Sequence, residues 1–347
     1  MPIISIVNTY TQIESQILSF IDNERSGNFE ELIIQAHSFQ KENCQPLRNY
    51  CESICKEPLS WQDITPLPTE AFKNSNEPII SFSKKQISST FLTSGTSGEI
   101  RGSHHFCNLK VYEKSIRTAW TNLQLPNLPV ICLTQSPTAS PDSSLIHMFA
   151  TLGGKFLINS SGHLDHSKLK LVIRKSDQPL ILAGTALAFL HLFESGKDIP
   201  KLPENSWVME TGGYKGSGRE ISKKDFYTMI NENLNVPLHN IINEYSMTEL
   251  SSQFYLTGMH DTHKSSHWVK TRVLKPGSHE EVSDEEIGLL SIYDLANLGS
   301  SVSIMTNDLA KRKGNTFELL GRDKKSTPRG CSRAADEMLS KNKYGHE

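Results

Sequence analysis

Apolar residues recur at three- and four-residue intervals near the start of the chain, with Ile13, Ile17, Phe20 and Ile21 on one helical stripe, and residues 10 to 60 have helical character. Trp61 to Phe72, marked by Pro66 and Pro68, reads as an irregular connector. Ile79, Ile80 and Phe82 predict a short strand. A second short apolar run with Phe91 and Leu92 leads into a glycine- and hydroxyl-rich loop from Thr93 to Ser103. After that loop the pattern alternates. Helices are predicted over Val111–Leu123, Leu145–Thr151, Leu169–Arg174, Thr185–Phe193 and Asp225–Asn233. Strands are predicted over Val130–Leu133, Lys155–Ile158, Leu180–Leu182, Trp207–Met209 and Ile241–Ile242. Such alternation predicts α/β layers with mostly parallel sheets. From Val269 to Met305 β-formers dominate, with turns at Pro276-Gly277 and Gly288, and a β-rich subdomain is expected. From Lys311 onward the chain is charged and poor in apolar residues, too little for a core of its own. The division expected is one large α/β domain over residues 1–310, its N-terminal helical part about 1–60, and a short tail or lid over 311–347.

Composition narrows the classes of function. The chain has 347 residues, 37% hydrophobic and 21% charged, with a formal net charge of −2. That is an ordinary globular balance with no overall field drawing it to nucleic acid or anionic membranes. No basic stretch followed by an apolar run opens the sequence, and no segment reaches the roughly 18 apolar residues of a membrane span. The expectation is a cytoplasmic protein with no stable membrane insertion and no nucleic-acid partner. Six cysteines without paired metal-ligand spacing predict free thiols rather than disulfides or a zinc site.

Four stretches carry candidate chemistry. In Thr93-Ser94-Gly95-Thr96-Ser97-Gly98, followed by Arg101 and Gly102, glycines let backbone N–H groups approach an anion, hydroxyls add donors, and Arg101 adds charge. It is not a Walker A loop, because no lysine follows Gly102. Glu210-Thr211-Gly212-Gly213-Tyr214-Lys215-Gly216 ends a predicted strand in a glycine pair, where a flat ligand can lie on the backbone. Asn243-Glu244-Tyr245-Ser246-Met247-Thr248-Glu249 brings together a ring for a base, a hydroxyl for a phosphate oxygen and a carboxylate for magnesium. Asp308, an acceptor-only group suited to the hydroxyls of a ribose, precedes Gly321-Arg322-Asp323, a joint between body and tail. His104 and His105 follow the first loop. Adjacent residues on a regular element point in different directions, and the pair reads as structural rather than catalytic.

These stretches, in this order, resemble the adenylate-forming superfamily of acyl-CoA synthetases and luciferases. More narrowly, TSGTSG, ETGGYKG, YSMTELSSQFY and LLGRDKKSTPRGCS, with Trp61, Pro66, Pro68, Phe72 and Lys73, resemble the acyl-protein synthetases of the bacterial bioluminescence fatty-acid reductase complex, over roughly residues 55 to 340. The resemblance implies ATP and Mg2+ as cofactors and an adenylate-forming fold with a truncated C-terminal lid. It implies that Ser94, Gly95, Thr96, Ser97 and Gly98 cradle the β- and γ-phosphates beside Arg101. Gly212, Gly213 and Tyr245 form the adenine pocket, Thr248 contacts a phosphate, Glu249 holds magnesium, Asp308 binds the ribose, and Arg322 and Asp323 mark the hinge. The larger synthetases have lysine where Arg101 stands and carry a catalytic lysine in a further C-terminal domain. Lys215, Lys341 and Lys343 stay open as its substitute.

The function implied is activation of a carboxylic acid, on the family pattern a long-chain fatty acid, as an acyl-adenylate, followed by transfer to a thiol. Cys331, between Arg329 and Arg333, is the candidate acceptor, since flanking arginines favour the thiolate. An acyl-reductase or acyl-carrier partner is implied for the thioester. Two alternatives stand beside this: a ligase delivering the acyl group to coenzyme A or a carrier protein, and a nucleotide-binding scaffold without catalysis. Leu145, Ile146, Met148 and Phe149 suit a fatty-acid tunnel and an ordinary core equally well.

Overall fold

The computed structural model describes residues 9–54, 57–94, 100–212 and 221–322. The periodic first stretch forms α1 (Tyr10–Asp22), α2 (Phe29–Asn43) and α3 (Gln45–Ile54). Thr9 opens α1 through a capping box with Gln12, and Asn28 accepts backbone N–H groups at the start of α2, so both helix starts have their leftover donors satisfied. The connector contains β1 (Leu67–Pro68) and the single turn α4 (Ala71–Asn74). The strand expected at Ile79–Phe82 does not form. Pro78 lacks an N–H, Ile80 N–H turns back to the Pro78 carbonyl, and Ser81 N–H goes to Gly299, while Ile79 and Ile80 bury their side chains without a ladder. The glycine loop is carried by a hairpin of β2 (Ser89–Leu92) and β3 (Ser103–Phe106).

The alternating region follows as α5 (Lys110–Asn122), β4 (Val130–Cys132), α6 (Ser144–Thr151), β5 (Lys155–Phe156), α7 (His166–Lys175), β6 (Ile181–Thr185), α8 (Ala186–Glu194), β7 (Trp207–Thr211), α9 (Lys223–Leu234), β8 (Ile241–Tyr245) and β9 (Phe254–Thr257). The strands make one sheet in the order β5-β4-β6-β7-β8-β9, parallel throughout except β9, which runs antiparallel to β8. Successive side chains enter two cores. Ile181, Ala183, Met209 and Ile242 pack towards the N-terminal helices, α5 and α6. Leu182, Val208 and Ile241 pack against α7, α8 and α9. Burial on both faces explains why these strands read as continuous apolar runs. Leu145, Ile146, Met148 and Phe149 of α6 are all buried in that packing.

The β-rich part is a second sheet. It contains β10 (Thr262–His263), β11 (Val269–Leu274), β12 (Ile287–Asp294), β13 (Ser303–Lys313) and β14 (Thr316–Arg322), in the order β10-β14-β13-β12-β11, with β1 added in parallel to β13. The sheet does not stop at residue 310. Residues 311–322, poor in apolar side chains and read from sequence as the start of the tail, complete the β13–β14 hairpin, and Phe317 is its inward anchor. No helix among the described residues is long and apolar enough to cross a membrane.

Candidate functional site

In an open parallel sheet, ligands bind beyond the carboxyl ends of the strands, where loops present free backbone groups. Here β7 ends at Thr211, with Gly212 directly after it, and β8 ends at Tyr245. Gly212 is exposed with φ +69°, a left-handed conformation that costs a side-chain-bearing residue, so bare backbone faces outward at the strand end.

The Tyr245 hydroxyl donates to Asp308 Oδ2 at 2.7 Å across 63 positions of sequence, and Arg322 Nε lies 3.4 Å from Asp308 Oδ1. The β13–β14 register sets Asp308 opposite Arg322. The Tyr245 ring packs against Phe254, His263 and Phe317. Glu249, on the segment following β8, is partly buried. Burial first, with Asp308 and Glu70 adding to it, pushes its carboxyl up to about 7 against the pull of Arg322. Glu70 itself accepts a hydrogen bond from Asn307 of β13. Tyr245, Glu249, Asp308 and Arg322 therefore share one neighbourhood.

The glycine-loop hairpin joins them from the side. Thr93 N–H donates to the Gly102 carbonyl and Gly102 N–H to Thr93 Oγ1, both at 2.8 Å, closing the base of the loop. Ser94 is buried there. Arg101 turns its guanidinium onto the hairpin itself, donating to the Thr93 and Leu92 carbonyls and pairing with Asp142 at 2.9 Å. Two residues beyond Gly102, His104 is buried and 2.7 Å from the Thr248 carbonyl through Nδ1, so Thr248 adjoins the hairpin. Burial pulls the His104 imidazole down to about 4. His105 points the other way, to Thr90 and Ser103, as alternation along a strand requires. Gly95, Thr96, Ser97, Gly98, Gly213, Lys215, Asp323, Cys331, Lys341 and Lys343 lie outside the described residues.

Several pairings among the residues of these stretches, and the part of Asp294, carried no legible signal in the sequence. Glu210 of β7 accepts from Tyr227 Oη and Asn243 Nδ2, while Asn243 Oδ1 accepts from His263 Nε2 at 2.8 Å. The carbonyl of that amide can only accept, which puts the His263 proton on Nε2. Thr211 Oγ1 donates to Glu244. Burial pushes both Glu210 and Glu244 up to about 7. Asp294 accepts from Ser252 Oγ and from the N–H groups of Ser251 and Ala296, fixing the segment after Glu249 from below. Among the described residues no group of three or more His, Cys, Asp or Glu is arranged to hold a metal ion, and Cys44, Cys51, Cys107 and Cys132 are free thiols.

The fold defined by these layers is that of adenylate-forming ligases. An open-conformation 2-hydroxyisobutyryl-CoA ligase superposes with a TM-score of 0.61 at 14% identity, covering 85% of this chain and 74% of that one. ATP-bound MatB from Rhodopseudomonas palustris gives 0.50 at 15% identity, covering 70% of this chain and 49% of its own. The family model described as acyl-protein synthetase, LuxE, matches residues 147–340, and the chain belongs to that family. The long-chain-fatty-acid–luciferin-component ligase of Aliivibrio fischeri is 25% identical over 146 residues, 39% of this chain and 38% of that relative. The match thus spans well under half of the relative's length.

Proposed function

We propose that the chain is an ATP-dependent acyl-protein synthetase, which activates a long-chain fatty acid as its acyl-adenylate and passes the acyl group to a cysteine thiol. The observation that carries this reading is the meeting of Tyr245, Glu249, Asp308 and Arg322 beyond the carboxyl ends of β7 and β8, with Thr248 tied to the glycine-loop hairpin. Family membership and the adenylate-forming fold support it.

In this reading Ser94 to Gly98 hold the β- and γ-phosphates by backbone N–H groups and hydroxyls. The exposed backbone at Gly212, with Gly213 after it in sequence, and the Tyr245 ring bound the adenine. Asp308, oriented by the Tyr245 hydroxyl and Arg322, accepts the ribose hydroxyls. Thr248 contacts a phosphate oxygen, and a lysine, for which Lys215, Lys341 and Lys343 are the candidates, supplies a cation to the reacting phosphate. Glu249 suits magnesium: its oxygens are hard donors, and the charge of neighbouring Asp308 and Glu70 is what a divalent cation offsets. A single protein carboxylate completing its shell from substrate phosphates is an ordinary magnesium arrangement.

The acid's carboxylate oxygen attacks the α-phosphorus and pyrophosphate leaves. The Cys331 thiolate then attacks the acyl carbonyl, forming the thioester and releasing AMP. The protein's share is positioning and charge stabilisation. A reductase or acyl carrier would take up the thioester. Free thiols at Cys44, Cys51, Cys107 and Cys132 suit the cytoplasm.

Mass spectrometry after incubation with ATP, Mg2+ and hexadecanoic acid tests the transfer. A hydroxylamine-labile acyl adduct is expected on Cys331, formed without coenzyme A and missing from Cys331→Ser. An adduct that persists in that variant removes Cys331 from the scheme. Acyl transfer that requires coenzyme A makes the chain an acyl-CoA ligase.

A further inference from the structure

His104 is left over by the chemistry above and sits at its crossroads. It leaves the glycine loop on β3, is 1% exposed, and lies between the rings of Phe72 and Phe106 at 5.5 and 4.3 Å. Its Nδ1 is 2.7 Å from the Thr248 carbonyl and its Nε2 2.9 Å from Ser300 Oγ. A carbonyl only accepts, so Nδ1 carries the proton and Nε2 accepts from the Ser300 hydroxyl. The segment from Thr248 to Ser252 is caught carbonyl by carbonyl: Thr248 by His104, Glu249 by Asn297 Nδ2 at 2.7 Å, and Ser251 by Ser115 Oγ at 2.5 Å. Asn297 and Ser115 belong to the scaffold behind the segment. Of these three donors, His104 is the one on the strand that leads out of the glycine loop.

We propose that His104 is a positioning residue: a strut that holds the base of the glycine loop, at Thr93, Ser94 and Gly102, in register with the segment bearing Thr248 and Glu249, so that the two parts of the triphosphate grip are set together. This inference rests on the nucleotide-activating reading above. The tautomer makes it specific. Asparagine places an amide N–H where Nδ1 stands and keeps the bond to Thr248, whereas glutamine reaches the Nε2 position and keeps only the contact to Ser300. His105, on the same strand but bonded within the hairpin to Thr90 and Ser103, is the matched control.

The test uses the full chain and the variants His104→Asn, His104→Gln, His104→Ala and His105→Ala. In ATP–pyrophosphate exchange with hexadecanoic acid, kcat/KM for ATP is expected to fall at least tenfold in the Gln and Ala variants and less than threefold in the Asn and His105→Ala variants. The KM for the acid is expected to move less than twofold in all of them. In the nucleotide-free protein, amide hydrogen exchange across residues 246–252 is expected to quicken in the Gln and Ala variants alone. Equal behaviour of the Asn and Gln variants in both measurements, or faster exchange spread evenly over the whole core, overturns the strut. If the Ala variant does not fold, the Asn–Gln contrast decides. If the wild type shows no acid-driven pyrophosphate exchange, the nucleotide-activating reading fails, and hydrogen exchange still decides the role of His104.

Discussion

Glu210 shows how a single buried carboxyl ties the site to pH. Burial pushes it up to about 7 from an ordinary 4.5, while the bonds from Asn243 and Tyr227 and the charge of Lys223 act in the opposite direction. The folded chain therefore keeps this proton at a pH where the unfolded chain has released it. The stability so gained is complete below pH 4.5 and is lost as pH rises through 7. Glu210→Gln, isosteric with the protonated acid, removes that slope. Urea unfolding of wild type and variant between pH 5 and 8 should show the variant gaining on the wild type by about 2–3 kcal/mol as pH rises. A difference that stays constant over that range contradicts the assignment. His37, pulled down to about 4 by burial, and His263, pulled down to about 3, change in the opposite sense but equally in both proteins, so the comparison cancels them.

At the scale of elements, the strands of the parallel sheet were legible because burial on both faces writes them as apolar runs, and their helices because one face alternates at the helical period. The closing half of the β13–β14 hairpin was not, since Lys311, Arg312 and Lys313 and half-exposed partners hide the one buried side chain of residues 311–322, Phe317. The Ile79–Phe82 run misled for the opposite reason: its apolar side chains fill a core while Pro78 and the turn at Lys84–Gln86 deny it a ladder. Gly288, legible as a turn, instead lies inside β12, where a Cβ would stand 2.3 Å from the Leu274 carbonyl oxygen of β11. Gly288→Ala forces those two backbones apart and is predicted to cost about 1–3 kcal/mol. Chemical denaturation would show it, and a variant as stable as wild type would mean that the β11–β12 pairing is looser than its register states.

Over the whole molecule, the site depends on parts far from it. Gln40 of α2 donates to the carbonyls of Asn297 and Leu298 and accepts from Val302 N–H, so the N-terminal helices hold the turn that in turn holds the Glu249 carbonyl through Asn297 and the His104 ring through Ser300. The order of the motifs put Tyr245 and Asp308 together as candidates for one site. Their direct bond was not, because it depends on how the second sheet sits against the first, which no local pattern encodes. The buried hydrogen bonds of Glu210 and Asn243 within the motifs, and Asp294 and Ser300 behind them, were silent for the same reason. Acid-driven ATP–pyrophosphate exchange, screened from acetate to hexadecanoate with wild type and Glu249→Ala, tests the central claim most directly. The prediction is exchange above background with long-chain acids, reduced about a hundredfold in the variant. A flat response across every acid, with wild type and variant alike, would contradict it.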